Sequence, residues 1–162
     1  MPMIVRSLDV NKDPFRPLEE GEDILGPEVS YMSAIDALMY LANCMRPDIA
    51  SLVHLLAQYS SAPTLNHWKG VKHKLHYLQE MTNLGLFYSN ESTSQLIGYA
   101  DAGYLSNPHK ARSQTRYVFT CGGTSILWRS IKKILTATSS NHSEIIAIHE
   151  TSRECIWLRS II

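Results

Sequence analysis

The apolar period of this chain changes once, near residue 84, and that change confines it to an α+β fold. From Tyr31 to about Met81 apolar residues recur every three or four positions, the spacing of helices that bury one face. Ile35, Leu38, Met39 and Ala42 mark a first helix ending near Cys44. Pro47 falls where a second helix has its first turn, and residues 48–60 present Ile49, Val53, Leu56 and Ala57 on one face. Asn66 is placed to cap a third helix reaching about Met81, with Trp68, Val71, Leu75 and Leu78 as its stripe. Beyond the change the runs are short and β-rich, at residues 84–88, 95–100, 117–121 and 125–128, separated by Asn90, Gly103, Asn107, Pro108, Gly122 and Gly123. The last two strands read as a hairpin through Gly122-Gly123-Thr124, and a further strand is expected at residues 134–138. A final helix follows from about His142, carrying Ile145, Ile146, His149, Arg153 and Ile156.

Three regions follow from this pattern. Residues 1–28 mix acids with Pro14, Pro17, Gly21, Gly26 and Pro27 and show no period, as in an acidic flexible tail or linker. Residues 29–83 form the helical region and residues 84–162 the strand-rich one. Fifteen Lys and Arg balance fifteen Asp and Glu, so any nucleic-acid partner has to be argued from local patches. No uncharged apolar run approaches the ~18 residues of a membrane span, and Arg6 and Asp9 interrupt Met1 to Val5 before a signal-peptide core can form. No membrane partner is expected. Cys44, Cys121 and Cys155 form no close pair and read as reduced, buried thiols.

Two carboxylates are placed suggestively. Asp101 follows the strand Ile97-Gly98-Tyr99-Ala100, and Glu144 falls in the first turn of the last helix. Carboxylates brought together from a strand end and a helix suit Mg²⁺, a hard cation that takes oxygen ligands. The alternative is two exposed acids, Glu144 favoured by the helix dipole. Among the cations, Lys69, Lys72 and Lys74 interleave with His67, His73, His76, Trp68 and Tyr77 on the third helix. Lys110 and Arg112 lie with His109 and Arg116 in a loop between strands. Either group could contact a nucleic-acid backbone, or be a solvated helix face and a simple turn.

The run Gly98-Tyr99-Ala100-Asp101-Ala102, followed by Lys110-Ala111-Arg112-Ser113-Gln114-Thr115, Tyr117-Val118-Phe119, Gly122-Gly123, Trp128-Arg129-Ser130 and Ala137-Thr138-Ser139-Ser140 with Glu144, resembles the start of a Ty1/copia-type ribonuclease H. Upstream, Tyr31-Met32-Ser33-Ala34-Ile35, Leu38-Met39-Tyr40-Leu41 and Arg46-Pro47-Asp48-Ile49-Ala50 resemble the stretch after the reverse-transcriptase palm of the same polyproteins. The resemblance implies three helices and then an incomplete ribonuclease-H-like half-domain of antiparallel strands and a C-terminal helix. Intact members use Mg²⁺ held by up to four carboxylates, of which Asp101 and Glu144 would be the first two. The third would come from a strand beyond Ile162, so both are expected to be vestigial, with no active catalytic residue, no bound metal and no cofactor. The sheet edge left open implies self-association. Arg116 stands where the family usually has Gly, a costly exchange if the position needs a positive φ.

The chain is also similar, from the same linker onward, to sequences known as secreted RxLR-type effectors of plant pathogens. That similarity implies a non-catalytic protein acting in the host nucleus or cytoplasm through an unidentified host protein or nucleic acid. Otherwise the chain is an intracellular, inert or weakly nucleic-acid-binding remnant. Two R-x-L patterns accompany it, Arg6 with Leu8 and Arg16 with Leu18, each without the final Arg. No signal peptide is visible ahead of them.

Overall fold

A computed structural model describes residues 13–19, 21–26, 28–90, 95–107, 112–132 and 137–161. They fall into two compact units, one up to Gly85 and one from Leu86. Three helices precede three antiparallel strands and a last helix, the α+β order read from the sequence.

In the first unit α1 (Tyr31–Cys44) buries Tyr31, Ile35, Leu38 and Ala42. A 3₁₀ turn (Pro47–Ile49) opens on Pro47 and leads into α2 (Ala50–Ala57), which adds Val53 and Leu56 to the same core. Tyr31 is buried because its hydroxyl has a partner, donating to the Leu56 carbonyl at 3.0 Å, and burial pushes its phenol well above the usual range.

The third helix departs from expectation. α3 (Leu65–Glu80) is capped by Thr64, not Asn66, in a capping box completed by His67. Its buried face is His67, Gly70, Val71 and Lys74, whereas Leu75 is exposed. Phe15 explains the rotation. Its ring packs against α3 at Gly70, where a Cβ would come within 2.7 Å of Phe15 Cε1, and it is 1% exposed. The segment that reads as a flexible tail therefore carries a core residue, with Asp13 buried beside it and accepting from the Phe15 N–H at 3.0 Å.

The second unit is a sheet of order β1-β2-β3 with α4 on one face. β1 (Leu96–Asn107) pairs with β2 (Arg112–Cys121) and β2 with β3 (Thr124–Lys132). Gly122 and Gly123 have φ of 58° and 80°, so they alone form the turn, and Thr124 pairs with Cys121 inside β3. The expected strand at residues 84–88 is irregular chain. It meets the hairpin through single contacts, Tyr88 Oη donating to the Ser125 carbonyl and Thr124 Oγ1 to that of Phe87, instead of through a ladder. Residues 133–136, most of the further expected strand, lie outside the described residues. The core is Tyr117, Phe119 and Leu158 with the flanks of Leu127, Ile131 and Cys155. Cys121 and Cys155 are half-buried and Cys44 is exposed, contrary to the reading of all three as buried.

Candidate functional site

β1 continues through Asp101 to Asn107, so this carboxylate sits inside a strand and not just past one. Side chains alternate across a strand, and Gly98 and Ala100 pair with the core residues Phe119 and Tyr117. Asp101 therefore faces away from α4, opposite Arg116. Arg116 Nη1 donates to Asp101 Oδ2 at 3.2 Å, and Nη2 donates to Gln114 Oε1 at 3.3 Å. Gln114 Nε2 in turn donates to Ser130 Oγ at 2.7 Å. Arg116 lies within the regular part of β2, where extended backbone suits any residue, so the expected penalty for replacing Gly does not arise. Glu144 is on α4 (Ser140–Arg159), whose N-cap is Ser139, accepting from the His142 N–H at 3.1 Å. This makes Glu144 the fifth residue of the helix, beyond the first turn where the dipole acts most strongly. The two carboxylates lie on different sides of the sheet. Among the described residues no group of three or more His, Cys, Asp or Glu could hold a metal ion.

The cations also separate. Lys69 and Lys72 are exposed on α3, Lys72 with its ammonium 5.7 Å from the Trp68 ring centre. Lys74 is 2% exposed, its Nζ 4.7 Å from the centre of the Tyr77 ring, and burial lowers its pKa. It belongs to the interior and not to a nucleic-acid surface. Lys110 lies outside the described residues, and Arg112 is placed only as the first residue of β2. Arg6 and Leu8 are outside them too. Arg16, the other R-x-L arginine, is tied by ion pairs to Glu19 and Glu22, with Leu18 half-buried between.

Two clusters were not anticipated. Arg46 Nε and Nη2 donate to the two oxygens of Asp48 at 2.9 and 2.8 Å, Tyr77 Oη donates to Asp48 Oδ2 at 3.0 Å, and Arg46 Nη1 reaches the Met81 carbonyl at 3.3 Å. The hydrogen bond from Arg46, opposed by partial burial and aided by Tyr77, holds the Asp48 carboxyl below the usual range. The second cluster surrounds His67, fully buried and stacked on Tyr59 at 4.2 Å between ring centres and on Phe15 at 6.5 Å. The Thr64 N–H donates to His67 Nδ1 at 2.9 Å, which requires that nitrogen to be unprotonated. Burial depresses its pKa, against the opposing pull of the Arg16 backbone and of Glu22 and Asp13. With the folded value below the ordinary 6.5, the unfolded chain binds the extra proton first, so stability falls as pH drops below 6.5. Urea titrations between about pH 7.5 and 5 are expected to show this slope in the wild type and a shallower one in His67→Gln, where the residue cannot ionise.

No protein-family model matches the chain, and no solved structure does. Among curated proteins it is 38% identical over 130 residues to Secreted RxLR effector protein 161 of Plasmopara viticola, covering 80% of this chain and 92% of that protein. It is 37% identical over 135 residues to the Retrovirus-related Pol polyprotein from transposon TNT 1-94 of Nicotiana tabacum, 83% of this chain but 10% of the polyprotein. The transposon RE2 polyprotein of Arabidopsis thaliana is 31% identical over 90% of this chain and again 10% of its own length. The chain belongs to the family of the effector 161 sequence and is homologous to copia-type Pol polyproteins. It is retroelement-derived and spans about a tenth of the Pol polyproteins it matches. In this chain the helix-rich unit and the meander with its helix stand in the order that the motifs imply. Asp101, which the resemblance would make the first carboxylate, is engaged by Arg116.

Proposed function

We propose that the chain is a non-catalytic, retroelement-derived protein that works by binding, as a secreted pathogen effector suppressing defence or cell death inside plant cells. The observation that carries this reading is the extent of its match to the effector, nearly the whole of that protein, against a tenth of each polyprotein. The non-catalytic part draws support from chemistry. A two-metal mechanism needs several carboxylates converging on two cations, and here Asp101 carries a guanidinium on the sheet face away from Glu144.

Transient expression in leaves with a cell-death elicitor tests the proposal. The wild type is expected to suppress cell death, and the double variant Asp101→Asn, Glu144→Gln to suppress it equally. Neither protein should cleave an RNA–DNA hybrid with Mg²⁺ or Mn²⁺ above the protein-free rate. Cleavage by the wild type that disappears in the double variant would refute the non-catalytic reading, and absence of suppression would refute the effector reading.

A second reading rests on the exposed pair Lys69 and Lys72 beside Trp68, a small cationic and aromatic surface suited to a single strand. Fluorescence anisotropy with labelled single-stranded RNA would then show salt-sensitive binding that weakens in Lys69→Glu, Lys72→Glu.

A further inference from the structure

α4 carries large apolar residues on the side away from the sheet as well as Ala147 and Leu158 on the side against it. Ser143, Ala147, Thr151 and Leu158 face the sheet, while Ile145, Ile148 and Ile156 on the other side stay 59–72% exposed. Isoleucines grouped on one exposed helix face, unlike apolar residues scattered singly, mark a surface that is normally covered. Beside the uncovered face lies a cleft of about 440 Å³, where Gly98 and Ala100 of the edge strand β1 meet Ile148, Ser152 and Cys155 of α4. Among the described residues β1 is an open edge of the three-stranded order, and its core-facing Gly98 and Ala100 remain exposed to solvent. Two unsatisfied features, a strand edge and an apolar helix face, thus adjoin at one place.

We infer that this face is a two-fold interface with a second copy of the chain, β1 pairing antiparallel with β1 of the other copy and α4 crossing its counterpart at Ser152. Three features of α4 favour a second copy over an unrelated partner. Ile145, Ile148, Ser152 and Ile156 recur at helix-packing intervals with the smallest residue in the middle, where two helices cross most closely. Ser152 Oγ donates to the Ile148 carbonyl at 2.8 Å, so its hydroxyl is already satisfied for burial. An antiparallel crossing there sets Ile148 opposite Ile156 of the other copy, and Glu144, in the second turn, opposite Arg159 in the last. The helix is thus charge-complementary to itself in this orientation. Because the cleft joins Ser152 to Gly98 and Ala100, one axis passes both the helix crossing and the middle of the strand edge. Ile145, Ile148 and Ile156 on the α4 side of the sheet and Ile97 and Tyr99 on its other side, with the strand backbone, offer about 600 Å² per copy, the lower end for a specific interface and in keeping with micromolar association.

Sedimentation velocity of the full chain from about 1 to about 100 μM is expected to show a monomer–dimer equilibrium. Glu144→Arg and Arg159→Glu should each raise the midpoint concentration about 10-fold, and the double exchange should return it to within about 3-fold of wild type. Ile148→Asp should abolish the dimer, and Met32→Asp, exposed on α1, should leave it unchanged. Hydrogen exchange provides a reading that needs no variant, since amides of residues 97–101 should gain protection as concentration rises. A wild type monomeric throughout, a double exchange no better than the singles, or strand protection independent of concentration would overturn the inference. The last would mean that another part of the same chain covers the face.

Discussion

Replacing Phe15 by Ala is expected to lower the unfolding free energy by about 3–4 kcal/mol, the cost of removing a buried aromatic ring and leaving part of its volume empty. The ring lies between Gly70 of α3 and the stack of His67 on Tyr59, so the cavity would open beneath the helix face that the first unit buries. Gly70 cannot compensate in the wild type. A helical Gly costs about 1 kcal/mol relative to Ala, and the position stays bare because a Cβ would strike the ring at 2.7 Å. Guanidinium denaturation followed by circular dichroism measures the loss, with Phe87→Ala as the reference. Phe87 is 79% exposed, and its truncation should change stability by less than about 0.5 kcal/mol. Equal effects of the two variants would mean that the segment before α1 is not part of the core.

Asp48→Ala is expected to cost about 2–3 kcal/mol. Removing this carboxylate deprives Arg46, whose side chain is only 10% exposed, of both charged hydrogen bonds, and leaves the buried Lys74 beside another cation with less negative charge nearby. The figure is below the ~3–5 kcal/mol of a fully buried pair because Asp48 keeps 37% of its side-chain exposure and solvent screens it in part. Tyr77→Phe removes a single hydrogen bond to the same carboxylate and should cost about 1 kcal/mol. The sign of the pH dependence follows from the lowered pKa. Asp48 contributes stability above its ordinary 3.8, and the contribution is lost as pH falls through the folded value. Acid titration of the Asp48→Ala variant should therefore show a shallower loss below pH 3.8 than the wild type. Identical acid profiles would place the stabilising interaction elsewhere.

Local patterns carried the α+β class into the structure because they depend on periods that neighbouring residues enforce. Ile35, Leu38 and Ala42 lie on one face of α1 whatever they pack against, and Pro47 and Gly122-Gly123 act through their own backbone preferences. The order of the motifs around Asp101 and Glu144 was equally legible, since a resemblance in linear order needs no contacts. What the linear pattern does not contain is which of two neighbouring faces a helix buries and what sits on the other side of a strand. The buried face of α3 was settled by Phe15, a residue some fifty positions away, landing on Gly70, and Lys74 was drawn inside with it. Asp101 and Glu144 were separated by the register that sets Asp101 opposite Arg116 and turns it from α4. Residues 84–88 had the composition of a strand, but a strand exists only through hydrogen bonds to a partner, and the hairpin met this segment by side chains alone. Propensity and period are local, so the helices, the paired strands and their order were readable from the chain. The tertiary structure alone decided which charges are buried, which carboxylates share a face and which apolar faces remain uncovered, because each of those depends on residues that only folding makes neighbours.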